Sequence, residues 1–334
     1  MNITIPQPDA SAKVLAARKR AAELPEAERK SVFDIRQPRE CSTIIPYDAT
    51  GRFFRTMPSP SAGAHLVLAV AKSGAPWKTH ILNSTGCVTD VLAATQAKHY
   101  TFHRLSAGSL EKVHEHVQAC ISSCLPLLFT SGDILSNTAT LDGAARKKGT
   151  TTADHTNRLI VLDIDHLSPS LLLPNEYPQD TDFDCANPEA LAELVRAGLA
   201  RGVHPDVATS KMLVCASASH GLIDAKTKAQ KGPRVRVFLL SDKERTLAEY
   251  KRVFRVSPEM SKAVKIDPAL FTVGQPIYIK TQFLRLRQRG GAPVAVDDPF
   301  SNVRAFISPP LEGCSSNITI FQDNKRGEGD IHSR

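Results

Sequence analysis

The alternation of apolar and polar positions is most informative at residues 159–165, which read LIVLDID. Four consecutive apolar residues, rich in leucine and β-branched side chains, predict a buried strand because the run is too short for a helix. Side chains alternate along a strand, so Asp163 and Asp165 are expected on one face and Leu162 and Ile164 on the other. Two adjacent carboxylates repel each other unless a cation or a shared proton lies between them. The stretch therefore predicts a site for a divalent metal ion, which takes oxygen ligands.

Short apolar runs elsewhere predict further strands, and helical spacing of apolar residues appears between several of them. Strands are expected at residues 42–47, 53–57, 65–71, 80–82, 99–105, 126–130, 212–216, 235–240, 277–279 and 283–289. Helices are expected at residues 11–24, 88–97, 109–124, 188–201 and 246–254. Asn187 followed by Pro188 is a typical helix start. Strands and helices in this irregular order predict a mixed α/β or α+β fold.

Positive charge is concentrated in one part of the chain. The 334 residues carry a formal net charge of +8, whereas residues 226–291 contain sixteen Lys or Arg and five Asp or Glu, a net of +11. Aromatic and apolar residues are interleaved with these basic residues, which favours a phosphate-facing surface over a merely solvated basic face. This distribution is compatible with a polyanionic partner.

Cysteine usage and hydropathy indicate the compartment. The seven cysteines have no regular spacing, which is typical of a reducing environment. The apolar runs are too short to cross a bilayer, and the N-terminus lacks an apolar signal core. A cytoplasmic protein without a membrane partner is expected.

Two further segments carry candidate chemistry. The predicted strand at 212–216 leads into Ser217-Ala-Ser219-His220-Gly, whose hydroxyls and imidazole are suitable donors to phosphate oxygens. Asp267 lies within the most basic region, where a carboxylate stays ionised and suits metal binding. A turn-forming Asp before proline is the alternative interpretation of Asp267. Asp242, after the strand at 235–240, is its rival as a third acid.

Three kinds of enzyme use an Asp-x-Asp pair in different ways. Phosphoryl or nucleotidyl transfer employs such carboxylates, with a third from elsewhere, to hold two metal ions. A haloacid-dehalogenase-like phosphatase is disfavoured because the pair is mid-chain and is followed by His166 rather than threonine. A nucleotide-sugar transferase with one metal leaves the basic segment unexplained. No Gly-rich phosphate loop is present, and an Asp pair that merely caps a turn remains the non-functional alternative.

The order of the motifs resembles that of the archaeo-eukaryotic primase superfamily, the primase-polymerases of plasmids, phages, archaea and eukaryotes. Asp163 and Asp165 match its first motif, Ser217 to His220 resemble its Ser-x-His motif, and Asp267 matches its third. The likeness covers about residues 157–289, and the motifs are short. The spacing departs from the family pattern, because His220 follows Ser219 directly. Arg236 on the next strand is a candidate for the phosphate-binding place of the family histidine.

The resemblance implies an α+β fold, in which an RNA-recognition-motif-like sheet packs against an N-terminal α/β unit. It also implies template-directed nucleotidyl transfer from NTPs or dNTPs with Mg²⁺ or Mn²⁺, in replication of a plasmid, phage or other mobile element. Implied partners are a single-stranded DNA template and a helicase, either separate or fused. The implied metal ligands are Asp163, Asp165 and Asp267; the nucleotide-binding residues are Ser217, Ser219, His220 and Arg236; and the nucleic-acid-binding residues are Arg234, Arg285, Arg287 and Arg289.

The expected organisation is a helical extension at 1–37, an N-terminal unit at 38–154, a metal-binding unit at 155–310 and a polar tail at 311–334. The alternative functions are a replication-initiator domain that binds DNA without synthesis and a metal-dependent sugar-nucleotide transferase.

A second constellation, His116, Cys120 and Cys124, suggests zinc but is not expected to bind it. The first and last of these residues are two helical turns apart, about 12 Å along the axis, so one ion cannot reach both. Buried small side chains are the expected role, and no structural zinc is predicted.

Overall fold

The structure is a computed structural model that describes residues 63–74, 76–94, 97–123, 125–135, 140–144, 152–285 and 294–318, with 140–144 and 152–153 described by their backbone alone. The expected extension at 1–37, the strands predicted at 42–47 and 53–57, and the side chains of Cys124, Arg287 and Arg289 lie outside these residues.

Strands and helices are intermixed along the described chain. The strands are β1 His65–Ala71, β2 Lys78–Leu82, β3 Val88–Leu92, β4 Tyr100–Ser106, β5 Leu127–Thr130, β6 Asp133–Ile134, β7 Thr140–Ala144, β8 Thr152–Ala153, β9 Asn157–Leu167, β10 Met212–Ala216, β11 Val235–Arg245, β12 Val264–Asp267, β13 Pro276–Ile277, β14 Thr281–Arg285, β15 Val294–Ala295 and β16 Phe306–Ser308. The helices are α1 Leu110–Ser122, α2 Pro169–Leu172, α3 Pro188–Gly202, α4 Pro205–Thr209 and α5 Leu247–Val253, with 3₁₀ turns at Asp180–Asp182, Pro258–Met260, Pro268–Phe271 and Ser301–Val303.

The central sheet has the strand order β12-β9-β11-β10-β16, and its neighbouring strands are antiparallel. The chain passes through β9, α3, β10, β11, α5 and β12 in turn, apart from the short helices α2 and α4. This is the β-α-β-β-α-β connectivity of split βαβ units. The first and last strands of the unit, β9 and β12, are therefore neighbours in the sheet.

Both faces of the central sheet are buried, because apolar side chains alternate between two cores. Ile160, Leu162 and Ile164 of β9 point to the core that contains α3, whereas Leu159 and Val161 point to the core that contains α1 and β1. A sheet covered on both faces needs apolar residues at consecutive positions, which explains the uninterrupted run at the start of β9.

Two helices begin where local sequence dictates. The Asn187 side chain accepts hydrogen bonds from the amides of Glu189 and Ala190, and Pro188 occupies the first position of α3. Ser109 accepts a hydrogen bond from the Lys112 amide at the start of α1. These caps confirm the predicted starts of both helices.

The N-terminal strands form two more sheets, and late strands of the chain join both of them. One has the order β13-β5-β1-β4-β7 and the other β15-β14-β2-β3, with a small β6-β8 pair. Strand β14 runs parallel to β2. After β12 the chain thus returns to the N-terminal strands, and the segment around β13 and β14 belongs to their sheets rather than to the central one.

The α+β class predicted from the sequence is confirmed, but the helix predicted at 88–97 is wrong. Residues Val88–Leu92 form strand β3, which pairs with β2. The turn before it is built by the Asn83 side chain, which accepts hydrogen bonds from the Thr85 and Cys87 amides, and by Gly86 at φ 81°. The β-branched Val and Thr residues of β3 suit a strand paired at a sheet edge.

Among the residues that the structure describes, helices of the length and apolarity that a bilayer crossing requires do not occur.

A tight contact between α3 and the sheet gives a test of the packing. A Cβ added at Gly198 would lie 2.7 Å from Leu167 Cδ2, whereas one at Gly202 would come no closer than 3.5 Å to Val264. Alanine is the better helix former by about 1 kcal/mol. We expect Gly198→Ala to lower the free energy of unfolding by about 1–3 kcal/mol, because overpacking outweighs that gain.

The matched variant Gly202→Ala, in the same helix, is expected to be neutral or slightly stabilising. Urea denaturation of both variants measures the difference. Equal stabilities for the two would show that α3 does not approach the sheet this closely at Gly198.

Candidate active site

The acidic residues come together because of strand register. Asp163 and Asp165 lie on β9, and Asp163 stands directly opposite Asp267 of β12 on one side and opposite Arg236 of β11 on the other. Directly opposite residues of antiparallel strands have Cα atoms about 4.5–5.5 Å apart. Carboxylates from the first and last strands of the unit are thereby placed side by side, with a guanidinium on the third.

Asp165 occupies a β-bulge. In the β9–β12 pair, Ile164 is opposite Ile266 and His166 is opposite Lys265, so Asp165 is the extra residue. Before the bulge, every second side chain of β9 points to the core that contains α3. The bulge shifts this alternation by one residue, because Ile164 and then Leu167 are buried in that core. Bulges are common next to active sites, where they redirect a side chain. Asp163 and Asp165 are both partly exposed at this position.

The three carboxylates have different partners. Asp163 Oδ2 is 3.2 Å from Arg236 Nη2, and Arg236 Nη1 donates to the Tyr278 carbonyl at 2.6 Å. Asp267 accepts a hydrogen bond from the Ala269 amide at 2.9 Å, which caps the following 3₁₀ turn. No group in the described part of the chain hydrogen-bonds to the Asp165 carboxylate. Arg236 thus offsets one of the three negative charges of the cluster, that of Asp163.

Asp242, the rival third acid, is excluded by its position. It lies six residues beyond Arg236 on β11, about 20 Å along the strand. Its side chain is exposed, and its amide donates to the carbonyl of Ile318. The antiparallel pairing carries this end of β11 toward Asn157, away from Asp163, so Asp242 lies too far from Asp163 to share an ion with it in this arrangement.

The Ser217–His220 segment forms a turn at the end of β10. The Ser217 amide donates to the Arg234 carbonyl at 2.9 Å, and the His220 amide donates to the Ser217 carbonyl at 3.2 Å. The Ser217 hydroxyl is buried and has no hydrogen-bond partner among the described residues. Ser219 is partly exposed. The turn therefore buries a hydroxyl group that lacks a hydrogen-bond partner among these residues, one strand away from Arg236.

His220 is fully buried, with both ring nitrogens already engaged. Nε2 is 2.8 Å from the Cys185 carbonyl and therefore carries the proton, while Nδ1 accepts from the Arg234 amide at 3.2 Å. Phe300 packs edge-on against the ring. Burial, reinforced by the charge of Arg304, lowers the pKa of His220 to about 4. The predicted phosphate contact of His220 is thus not available in this arrangement, where the imidazole instead fixes the turn.

Gly221 and Arg304 complete the support of this turn. Gly221 has φ 64°, and a Cβ there would lie 2.6 Å from Phe300. Arg304 is buried, pairs with Asp298 and donates to the carbonyls of Ala216 and Ser217 at 3.0 and 2.9 Å. A left-handed, closely packed position requires glycine. Backbone conformation and packing therefore explain why the motif ends in glycine.

Two of the four predicted nucleic-acid-binding arginines lie in the described part of the chain, at different sheets. Arg234 is half-buried just before β11, and its backbone holds Ser217 and His220. Arg285 is exposed at the end of β14 in the four-stranded sheet. Arg287 and Arg289 lie outside the described residues.

His80 of β2, which the sequence analysis did not identify, lies next to the candidate site. It is buried, stacks on Phe283 and lies next to the Ala218 backbone. Burial, with smaller effects of Lys231 and Lys78, lowers its pKa to about 4. Nothing in the local sequence of β2 indicates this, because more than a hundred residues separate His80 from Ala218.

The donor chemistry fits a magnesium or manganese ion, which prefers carboxylate oxygens. In the described ranges, however, no group of three or more His, Cys, Asp or Glu side chains is already arranged around a metal position. Asp163 and Asp267 turn their carboxylates to Arg236 and Ala269. Backbone register brings Asp163 and Asp267 together, and side-chain rotation would be required for their carboxylates to share an ion.

The His116 constellation is built into the core of the N-terminal unit. His116 is buried, with Nε2 2.9 Å from the Ser106 carbonyl, and burial raises the pKa of Cys120. A protonated, fully buried thiol is a poor metal ligand.

Comparisons of the chain with protein-family models, curated proteins and solved structures find no match.

The buried imidazole gives a pH-dependent stability. The pKa of His220 is about 4 when folded and about 6.5 in an unfolded chain, so acid favours the unfolded state. Its contribution is complete above pH 6.5 and declines as the pH falls toward 4, by up to about 3 kcal/mol. We expect the free energy of unfolding, measured with urea, to fall between pH 7.5 and pH 5.

Between pH 7.5 and pH 5, the free energy of unfolding of His220→Gln should fall by about 2 kcal/mol less than that of the wild type. His99→Gln, at an exposed histidine whose ring has no partner among the described residues, is the control and should leave the pH dependence unchanged. Identical pH profiles for wild type and His220→Gln would contradict a buried neutral imidazole.

Proposed function

We propose that the protein is a nucleotidyltransferase of the primase-polymerase type, which adds nucleotides to a nucleic-acid strand under the direction of a template. The observation that carries this proposal is the register that sets Asp267 of β12 directly opposite Asp163 of β9. Nucleotidyl transfer needs carboxylates from separate parts of the chain at one place.

The connectivity of the central sheet supports the same function. The acidic residues lie on the first and fourth strands of a β-α-β-β-α-β unit, and the Ser217–Gly221 turn follows its second strand. This is the arrangement expected of a sheet related to the RNA-recognition motif. The face of β9 that carries Leu159 and Val161 also packs against N-terminal strands, as expected for a two-part catalytic core.

Asp163, Asp165 and Asp267 would hold Mg²⁺ or Mn²⁺, whose Lewis acidity lowers the barrier by stabilising the attacking and leaving oxygens. Asp165 supports this role most directly, because its carboxylate has no partner among the described residues and is two residues along β9 from Asp163. Neighbouring carboxylates are stabilised by a cation.

Arg236 and Ser217 are the residues that would bind the triphosphate. Arg236 is held on the Tyr278 carbonyl through Nη1 and on Asp163 through Nη2, while its buried Nε has no hydrogen-bond partner among the described residues. A guanidinium binds phosphate oxygens through paired hydrogen bonds. The unpartnered Ser217 hydroxyl is buried and would donate to phosphate once the turn opens, whereas Ser219 is already partly exposed. His220 acts indirectly, because it holds the turn that presents the two serines.

Loss of a metal ligand tests the activity. We expect Asp165→Asn to reduce template-dependent incorporation of labelled nucleotides by more than about 100-fold, since even outer-shell changes at metal sites cost 10–100-fold. Asp165 is the cleanest position because its replacement breaks no hydrogen bond among the described residues. Asp163→Asn and Asp267→Asn should have the same effect.

Asp242→Asn is the matched control, because this exposed aspartate lies at the far end of β11. It should incorporate nucleotides as the wild type does. Full activity of Asp165→Asn would rule out the proposed site. Template binding without synthesis by the wild type would indicate an initiator domain instead, and transfer that ignores the template would indicate a sugar-nucleotide transferase.

The ion pair between Arg236 and Asp163 predicts opposite effects on two ligands. Without nucleotide, Arg236 competes with a metal ion for Asp163, so Arg236→Gln should bind Mn²⁺ at least as tightly as wild type in electron paramagnetic resonance titrations. The same variant should bind nucleoside triphosphate about tenfold or more weakly, because a charged hydrogen bond contributes about 1.5–3 kcal/mol. If the variant bound Mn²⁺ more weakly and nucleotide with unchanged affinity, Arg236 would serve only to orient Asp163 and would not bind the triphosphate.

A further inference from the structure

A lysine-rich hairpin follows the Ser217–Gly221 turn directly. It spans residues 222–231, and we call it the lysine hairpin. Lys226, Lys228 and Lys231 are its basic residues and Asp224 is its single acidic residue. All three lysine side chains are exposed, and none of their ammonium groups makes a hydrogen bond or ion pair within the described part of the chain.

The hairpin is held firmly at its base. Leu222 is buried with Leu82 and Phe283, and its carbonyl accepts from the Lys231 amide at 2.8 Å. Ile223 forms an antiparallel bridge with Gln230. On the other side the hairpin extends the four-stranded sheet, because the Val88 amide donates to the Ile223 carbonyl at 2.8 Å. The lysines therefore project from an ordered hairpin, which is attached to the Ser217–Gly221 turn and to the four-stranded sheet.

The tip of the hairpin has one defined conformation. The Asp224 carboxylate accepts from the Lys226 and Thr227 amides at 2.8 and 2.9 Å, and its carbonyl accepts from the Lys228 amide. Lys228 has φ 58°, which non-glycine residues adopt at some energetic cost. The acidic residue is thus used within the turn, and the positive charges are left facing outward.

The base of the hairpin is close to the candidate active site. The positive charges of Lys231 and Lys78 both lower the pKa of the buried His80. This histidine lies next to Ala218 of the turn that carries Ser217. A basic surface thus begins beside the proposed triphosphate-binding turn and continues outward along the hairpin.

We propose that the lysine hairpin binds the phosphate backbone of the nucleic-acid strand that enters the active site. The proposal rests on the proposed function for the identity of the polymer. The hairpin contains no aromatic residue for base stacking, so binding by phosphate contacts alone is expected, without sequence preference. Such contacts release counterions and make the affinity depend on salt.

The test is binding of a fluorescent single-stranded oligonucleotide by the full chain at several salt concentrations, followed by anisotropy. The hairpin variant combines Lys226→Gln, Lys228→Asn and Lys231→Gln; asparagine is chosen because it tolerates the left-handed conformation. Each phosphate contact on a single strand contributes about 0.7 to the slope of log K against log[salt]. We expect the slope to decrease by about 2, with equal losses for oligonucleotides of different sequence.

The matched control combines Lys251→Gln, Arg252→Gln and Lys262→Gln. These exposed residues lie on α5 and beyond it, in the layer that packs on the other face of the central sheet. The control removes the same charge and should retain the wild-type slope. Equal reductions in the two variants would show a non-specific effect of net charge and overturn the proposal.

Two further arms separate this inference from the enzymatic one. Asp165→Asn should bind the oligonucleotide with the wild-type salt slope, although it incorporates no nucleotide. If the wild type bound the oligonucleotide without making product, while the hairpin variant bound it less well, that outcome would overturn the enzymatic proposal and support the hairpin proposal. Hairpin-dependent binding to vesicles that contain phosphatidylserine, without binding to the oligonucleotide, would overturn it in favour of a lipid surface.

Discussion

The antiparallel pairing of β9 with β11 and β12 is the constraint on which the candidate site depends. Because β9 is flanked by both strands, Asp163 has Asp267 opposite it on one side and Arg236 on the other. A one-residue slip in either pairing would turn the opposing side chain to the other face of the sheet. The register, more than any single hydrogen bond, is therefore what joins residues more than seventy positions apart into one electrostatic cluster.

Burial on both faces of the central sheet fixes that register. Ile160, Leu162 and Ile164 are committed to the core beneath α3, and Leu159 to the core beneath α1. A one-residue slip of β9 would exchange these side chains between the two cores and turn the carboxylate of Asp163 toward the core beneath α3, where an unpaired charge is costly to bury. Only toward the end of β9 does one face open, and there the polar Asp163 and Asp165 replace apolar residues.

The second half of the site is supported in a different way. The Ser217–Gly221 turn has no regular ladder, and buried polar groups hold it instead: the His220 ring bridges two backbone segments, and Arg304 donates to the carbonyls before the turn. Such buried groups are stabilising only when every partner is present. The turn, the lysine hairpin after it and Phe300 behind it consequently form one connected support beside the acidic cluster.

Local sequence determined what depends on neighbours along the chain. The apolar run at residues 159–162 determines the buried strand, and Asn187 with Pro188 sets the start of α3, because hydropathy and capping act over a few residues. The choice between Asp267 and Asp242 could not be made that way, since it depends on which strand lies beside β9. Nor could the burial of His220, which comes from Cys185 and Phe300, or the strand at Val88–Leu92, which exists because β2 pairs with it. Tertiary structure decided these features, because their partners are remote in sequence and are brought near only by the packing of the sheets.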